Sequence, residues 1–97
     1  MRPPVIVEIA RERERQISGE GYNYGHDDAH HTGDIARLAC MYANPTRDLV
    51  YAAMEKYWGD VSDWLKHKTR RRDLIRAAAL IVAEIERLDR SEEKSTR

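Results

Sequence analysis

The stretch "GYNYGHDDAHHTGD", Gly21 to Asp34, gathers the side chains best suited to chemistry: three of four histidines, three aspartates and two tyrosines among three glycines. On a helix, Asp27 and His31 fall four apart, as do His30 and Asp34, so each pair would present an imidazole and a carboxylate on one face. Such groups ligate zinc, manganese or iron. His26, Asp27, Asp28, His30, His31 and Asp34 are therefore a candidate set for a divalent metal. One helical turn cannot close a coordination shell, so Glu12, Glu20, Glu84, Glu86 or Asp89 would have to complete it. The preferred reading is structural and needs no cofactor. Asp27 or Asp28 caps a helix, Gly21 and Gly25 turn the chain so that Tyr22 meets the first helix, and Glu12, Arg15 or Glu20 partners the acids and histidines.

A second constellation is "KHKTRRR", with Lys66 and Lys68 ahead of Arg70, Arg71 and Arg72. Three arginines in the first turn of a helix oppose its dipole, and a bound anion would compensate them. A nucleotide, another phosphate ligand or an acidic partner surface fits that need; a solvated basic face balanced by nearby acids is the alternative. Tyr22 and Tyr24 flank a loop glycine, where they either anchor a partner or pack on the first helix. No nucleophile set emerges. Cys40, the only cysteine, sits in an apolar run and reads as an inert small hydrophobe.

These groups must be positioned by helices. Pro3 and Pro4 open a first helix from about Val5 to Ser18, with Ile6, Ile9, Ala10 and Ile17 as its apolar stripe. "IARLACMYA" is apolar on nearly every face and predicts a central helix ending at about Ala43, before Asn44-Pro45. Thr46 opens a third helix, "RDLVYAAMEKYW". A last one runs from about Arg70 to Arg90, where Leu74, Ala78, Ile81, Ile85 and Leu88 repeat at spacings of four and three. With Ile35, Leu38, Ala39 and Tyr42, the residues Leu74, Ala78, Ile81 and Ile85 form the expected core. Residues 91–97 read as a frayed tail. Nothing alternates with period two, so the expectation is an all-α bundle of about four helices in one domain.

Composition bounds the function. Leu, Ile and Val make up 18 of 97 residues and Phe is absent, so the core is thin and self-association, a homodimer, is expected to complete it. Seventeen basic residues balance seventeen acidic ones, which disfavours wholesale nucleic-acid binding. One cysteine excludes an intrachain disulfide framework. No stretch is apolar enough for a signal peptide or a bilayer span, and a cytoplasmic protein is expected.

Taken together, "ERERQISGEGYNYGHDDAHHTGDIARLACMYA" and "RRDLIRAAALIVAEIERLDR" resemble a small protein family of tailed phages and prophages of proteobacteria. The shared pattern is "ER-x-RQ…EG-aromatic…HDD-x-H…GE-L-A" followed by "AALI-x-AEIERLDR". Glu12, Arg13, Arg15, Gln16, Glu20, Gly21, His26, Asp27, Asp28, Gly33 and Asp34 carry the first part, with Asp34 in place of the usual glutamate. The resemblance implies a phage accessory protein that binds a host or phage partner without catalysis, with inhibition of a bacterial defence system as its expected role. Glu86 to Asp89 is also similar to the "ExxD" of MazG-type nucleotide pyrophosphohydrolases, which hold magnesium on acids from two helices. That likeness implies a metal-dependent nucleotide hydrolase using Asp27, Asp28, Asp34, Glu84 and Glu86, although the paired "ExxE" of those enzymes is missing.

Overall fold

The computed structural model describes residues 2–30, 33–44, 52–53, 55–56 and 68–95. Four helices are delimited: α1 (Val5–Gly19), α2 (Tyr24–Ala29), α3 (Asp34–Ala43) and α4 (Arg70–Ser95). No strand occurs among the described residues, and the all-α expectation holds. The third helix expected after Thr46 lies mostly outside the described residues; Ala52, Ala53, Glu55 and Lys56 within it are helical. No described helix is long and apolar enough to cross a membrane.

Helix α4 is the spine, since α1, α2 and α3 all pack on it. Its start is set by Thr69, whose Oγ1 accepts from Arg72 N at 3.1 Å, and by Asp73, whose Oδ1 accepts from Lys68 N at 2.8 Å. The first contact satisfies an otherwise orphaned donor of the first turn, and the second ties the residue before the cap back onto the helix. The helix does not stop at Arg90; it continues through Ser95, so residues 91–95 of the expected frayed tail are helical.

The core lies between α3 and α4. Ile35, Leu38, Ala39, Met41 and Tyr42 from α3 meet Ala77, Leu80 and Ala83 from α4. Large side chains on one helix face small ones on the other, which lets the helices approach closely at native packing density. They run antiparallel: Arg70 at the start of α4 donates to the Ala43 carbonyl at the end of α3. Arg76 lies 5.8 Å over the Tyr42 ring.

Half of the expected core is therefore corrected. Ile35, Leu38, Ala39 and Tyr42 are buried, but Leu74, Ile81 and Ile85 are exposed and Ala78 is only partly covered. The buried set on α4 is displaced by one residue, a rotation of about 100° on a helix of 3.6 residues per turn. Sequence periodicity finds the stripe of largest residues; here the stripe that packs is the alanine-rich one beside it. Helix α1 departs similarly. Its buried residues are Glu12, Arg13 and Gln16, whereas Val5, Ile6 and Val7 are exposed. Helix α3 is less uniformly covered than its apolar run implies, because Ala36 and Cys40 face solvent. Cys40 is thus an exposed thiol and not a packed hydrophobe.

The phase of α4 has a direct test. Leu80→Ala is expected to destabilise the fold by about 2–5 kcal/mol, whereas Leu74→Ala in dilute protein should cost less than about 1 kcal/mol. Urea denaturation of both variants decides it, and the reverse order would mean that the helix is rotated.

Candidate functional site

The opening loop is folded back on α1. Gly21 has φ 76°, a left-handed conformation that costs glycine little. The turn brings Tyr22 N to the Gln16 carbonyl at 2.9 Å. Helix α2 follows at once, an element that the sequence reading passed over as loop. Its cap is Asn23, whose side chain accepts from His26 N at 2.9 Å. Gly33, φ 88°, stands at the cap position of α3. Neither Asp27 nor Asp28 is a helix cap, and both are thereby released for ion pairs.

Arg13 is the centre of the site. Its guanidinium donates to Asp27 Oδ2 at 2.8 Å, to the Tyr22 carbonyl at 2.9 Å and to Glu86 Oε1 at 3.0 Å. The Arg13 and Asp27 side chains are 7% and 2% exposed, so this is a buried ion pair. The second carboxylate oxygen of Asp27 lies 2.9 Å from His26 Nδ1. His30 Nδ1 donates to the His26 carbonyl at 2.8 Å. Both Nδ1 atoms thus carry their protons into the protein, which leaves Nε2 as the acceptor on each ring. The rings stack in series: Tyr22 on His26 with centroids 4.6 Å apart, His26 on His30 at 4.4 Å. They form one wall of a cavity of about 460 Å³, together with Asp27, Asp34, Ile35, Leu38 and Leu80. Burial raises the Tyr22 phenol above its ordinary value, with the charge of Glu20 adding to it.

Asp28 points elsewhere. It accepts from Arg90 Nη2 at 2.8 Å and from Nε at 3.2 Å, and Lys94 Nζ is 3.8 Å away. The hydrogen bond from Arg90 holds the Asp28 carboxyl below its ordinary range despite some desolvation. The same guanidinium lies 4.2 Å over the Tyr24 ring, a cation–π contact that ties α2 to the far end of α4. The six candidate metal residues are therefore divided. His26, Asp27, His30 and Asp34 share the cavity, Asp28 faces Arg90, and His31 lies outside the described residues. No group of three or more potential ligands among the described residues is placed to hold a metal ion.

The basic run is divided too. Arg71 pairs with Glu8 and Arg72 with Glu12, both across to α1, while Arg70 donates to the α3 terminus. Lys68 is exposed, and Lys66 lies outside the described residues. Two of the arginines offered for an outside anion are thus clamps on α1. Tyr22 packs against the core, whereas Tyr24 lies under Arg90 and stays 54% exposed.

Glu12 completes the clamp. Burial pushes its carboxyl up, but hydrogen bonds from Arg15, with the charges of Arg15, Arg72 and Arg76, hold it below the usual range. Arg15 donates to both Glu12 oxygens at 2.8 Å and to Glu20 Oε1 at 3.2 Å. Reading the sequence placed Glu12, Arg15 and Glu20 near this loop, and it missed Arg13. The signal was the unbroken "RERERQ", which reads as a solvated face and becomes a docking surface only when facing arginines and an aspartate arrive from α2 and α4.

What the arrangement can do is limited by its pairings. A carboxylate orienting His26 through Nδ1 suits either a general base or a metal ligand. Yet Asp27 is also bound to Arg13, and Ser18 Oγ, at the end of α1, donates to the Glu14 carbonyl. The site is built chiefly to hold α1, α2 and α4 together.

Arg13→Ala should leave Asp27 buried without its cation and cost about 3–5 kcal/mol. Arg13→Lys should recover little, because one ammonium cannot reach Asp27, Glu86 and the Tyr22 carbonyl from a fork. Chemical denaturation reads both. Acid supplies a second test, because the Glu8, Glu12 and Asp28 carboxyls are all lowered in the fold. A lowered carboxyl contributes stability above its unfolded pKa and loses it as pH falls through the folded value. The melting temperature should therefore hold to about pH 5 and drop below it, with a shallower acid limb for Glu12→Gln.

No family model, curated protein or solved structure matches the chain.

Proposed function

We propose that the chain is a non-catalytic accessory protein, of the phage and prophage type it resembles, that binds a host or phage protein and thereby inhibits a bacterial defence system. The observation that carries this reading is the state of its acids. A hydrolase of the MazG kind needs several carboxylates free to hold magnesium against a triphosphate. Here Asp27 and Glu86 accept from Arg13, Asp28 from Arg90, Asp34 from Arg37 and Glu84 from Arg87. Each acid assigned to that chemistry already has an arginine. The exposed aliphatic residues of α4 add a second support, because contiguous apolar surface on a small protein marks a place that another protein covers.

One observation keeps the metal or nucleotide reading in second place: His26, His30 and Asp34 line a common cavity, and both imidazoles use Nδ1 for their hydrogen bonds to described residues. The two readings separate experimentally. With chelator the melting temperature should not move, and neither pyrophosphate nor phosphate should be released from nucleoside triphosphates with magnesium or manganese. A drop of many degrees, or hydrolysis abolished by Glu86→Gln, would promote the second reading. The first is checked by expressing the protein in hosts that each carry one defence system: phage plating should recover in at least one, and failure in all would remove the proposed role.

A further inference from the structure

Helix α4 has three sides. One receives α3 through Ala77, Leu80 and Ala83, and another receives α1 through Arg72 and the Arg76 carbonyl. The third carries Leu74, Ile81, Val82, Ile85 and Leu88, which are between 38% and 52% exposed. With the partly covered Ala78 between them, Leu74, Ile81, Ile85 and Leu88 fall at alternating spacings of four and three. That repeat of 3.5 is the a/d seam of a two-helix pairing, narrower than the face a helix turns to a globular core. The seam extends for about 21 Å at 1.5 Å per residue.

We infer that this seam is covered by a second copy of the same helix, running antiparallel about a two-fold axis at Ile81. This rests on the reading of the chain as a protein-binding module and names one occupant of its apolar surface. The charges at the two ends of the seam choose the direction. One turn before Leu74 stands Arg70, and one turn beyond Leu88 stands Glu92, both exposed. Antiparallel pairing about Ile81 sets Arg70 beside the partner's Glu92 and Leu74 beside the partner's Leu88. Parallel pairing would oppose arginine to arginine and glutamate to glutamate, and would align two helix dipoles. The small Ala78, level with the partner's position 84, leaves room for the partner's Ile85 one residue further along, a small-to-large match of the kind α3 and α4 already use. Such an interface is isologous and closes as a dimer.

Two measurements test this. Light scattering should give twice the chain mass of 11.3 kDa, and Ile81→Glu should weaken association by at least about tenfold while circular dichroism stays unchanged. The orientation is read by disulfide trapping in a Cys40→Ser background under mild oxidant. Ile81→Cys should cross-link to itself. Leu74→Cys alone should not, but a mixture of Leu74→Cys and Leu88→Cys proteins should. Self-linking of Leu74→Cys would mean parallel helices and overturn the inference. So would a monomer at high micromolar concentration, whether the seam then proves covered by another part of the same chain or by a foreign protein. A monomer that still restores phage plating would sink this inference and leave the proposed function standing.

Discussion

A buried guanidinium constrains most of what surrounds it. Once Arg13 is removed from water it must find acceptors for its fork, because an unpaired charge inside a protein costs several kcal/mol (~3–5). Asp27, Glu86 and the Tyr22 carbonyl supply them from three different segments. Each acceptor fixes a piece of geometry. The Tyr22 carbonyl can turn inward only if the chain reverses after α1, which Gly21 allows. Asp27 can reach inward only if α2 is a helix capped by Asn23. Glu86 fixes the rotation of α4 about its axis.

That rotation explains the split character of the molecule. With Glu86, Arg72 and the Arg76 carbonyl turned to α1, and Ala77, Leu80 and Ala83 turned to α3, the larger aliphatics of α4 are left outward. The core against α3 is non-directional and tolerates small shifts; the clamp on α1 is directional and fails if one partner moves. Acid should act on the two unequally, since only the clamp contains carboxyls held below their ordinary values. Helix α1 is thus the element expected to detach first as pH falls, with the α3–α4 pair remaining.

The sequence made the helices legible because their signals are local. Pro4, Thr69 and the break after Ala43 act within one turn, and α1, α3 and the start of α4 lie where these residues put them. The rotation of each helix was not legible, because it is decided by contacts far apart in sequence. Ile81 is larger and more apolar than Leu80's neighbours at 77 and 83, so periodicity favours its stripe, yet close approach to α3 requires alanines. Likewise "RERERQ" is polar by any local measure, and its burial depends on Asp27, Arg72 and Glu86. The metal candidates illustrate the same limit. His30 closes α2 and Asp34 opens α3, so this pair lines the cavity from two helices instead of sharing one helix face, and Asp28 pairs with Arg90 instead.

The C-terminal turns of α4 connect these arguments to function. Beyond Leu88, the contacts to the rest of the fold described above run through Arg90 and Lys94 to α2. Isolated helical turns are marginal in water, and tertiary packing supplies most helix stability in proteins. A second α4 lying antiparallel would set its Arg70 against Glu92 and its Leu74 against Leu88. The length of α4, the spacing of its exposed aliphatics and the opposite charges at its ends all have one physical explanation under that pairing. Arg13 fixes the helix's rotation, and with it the direction in which the seam faces.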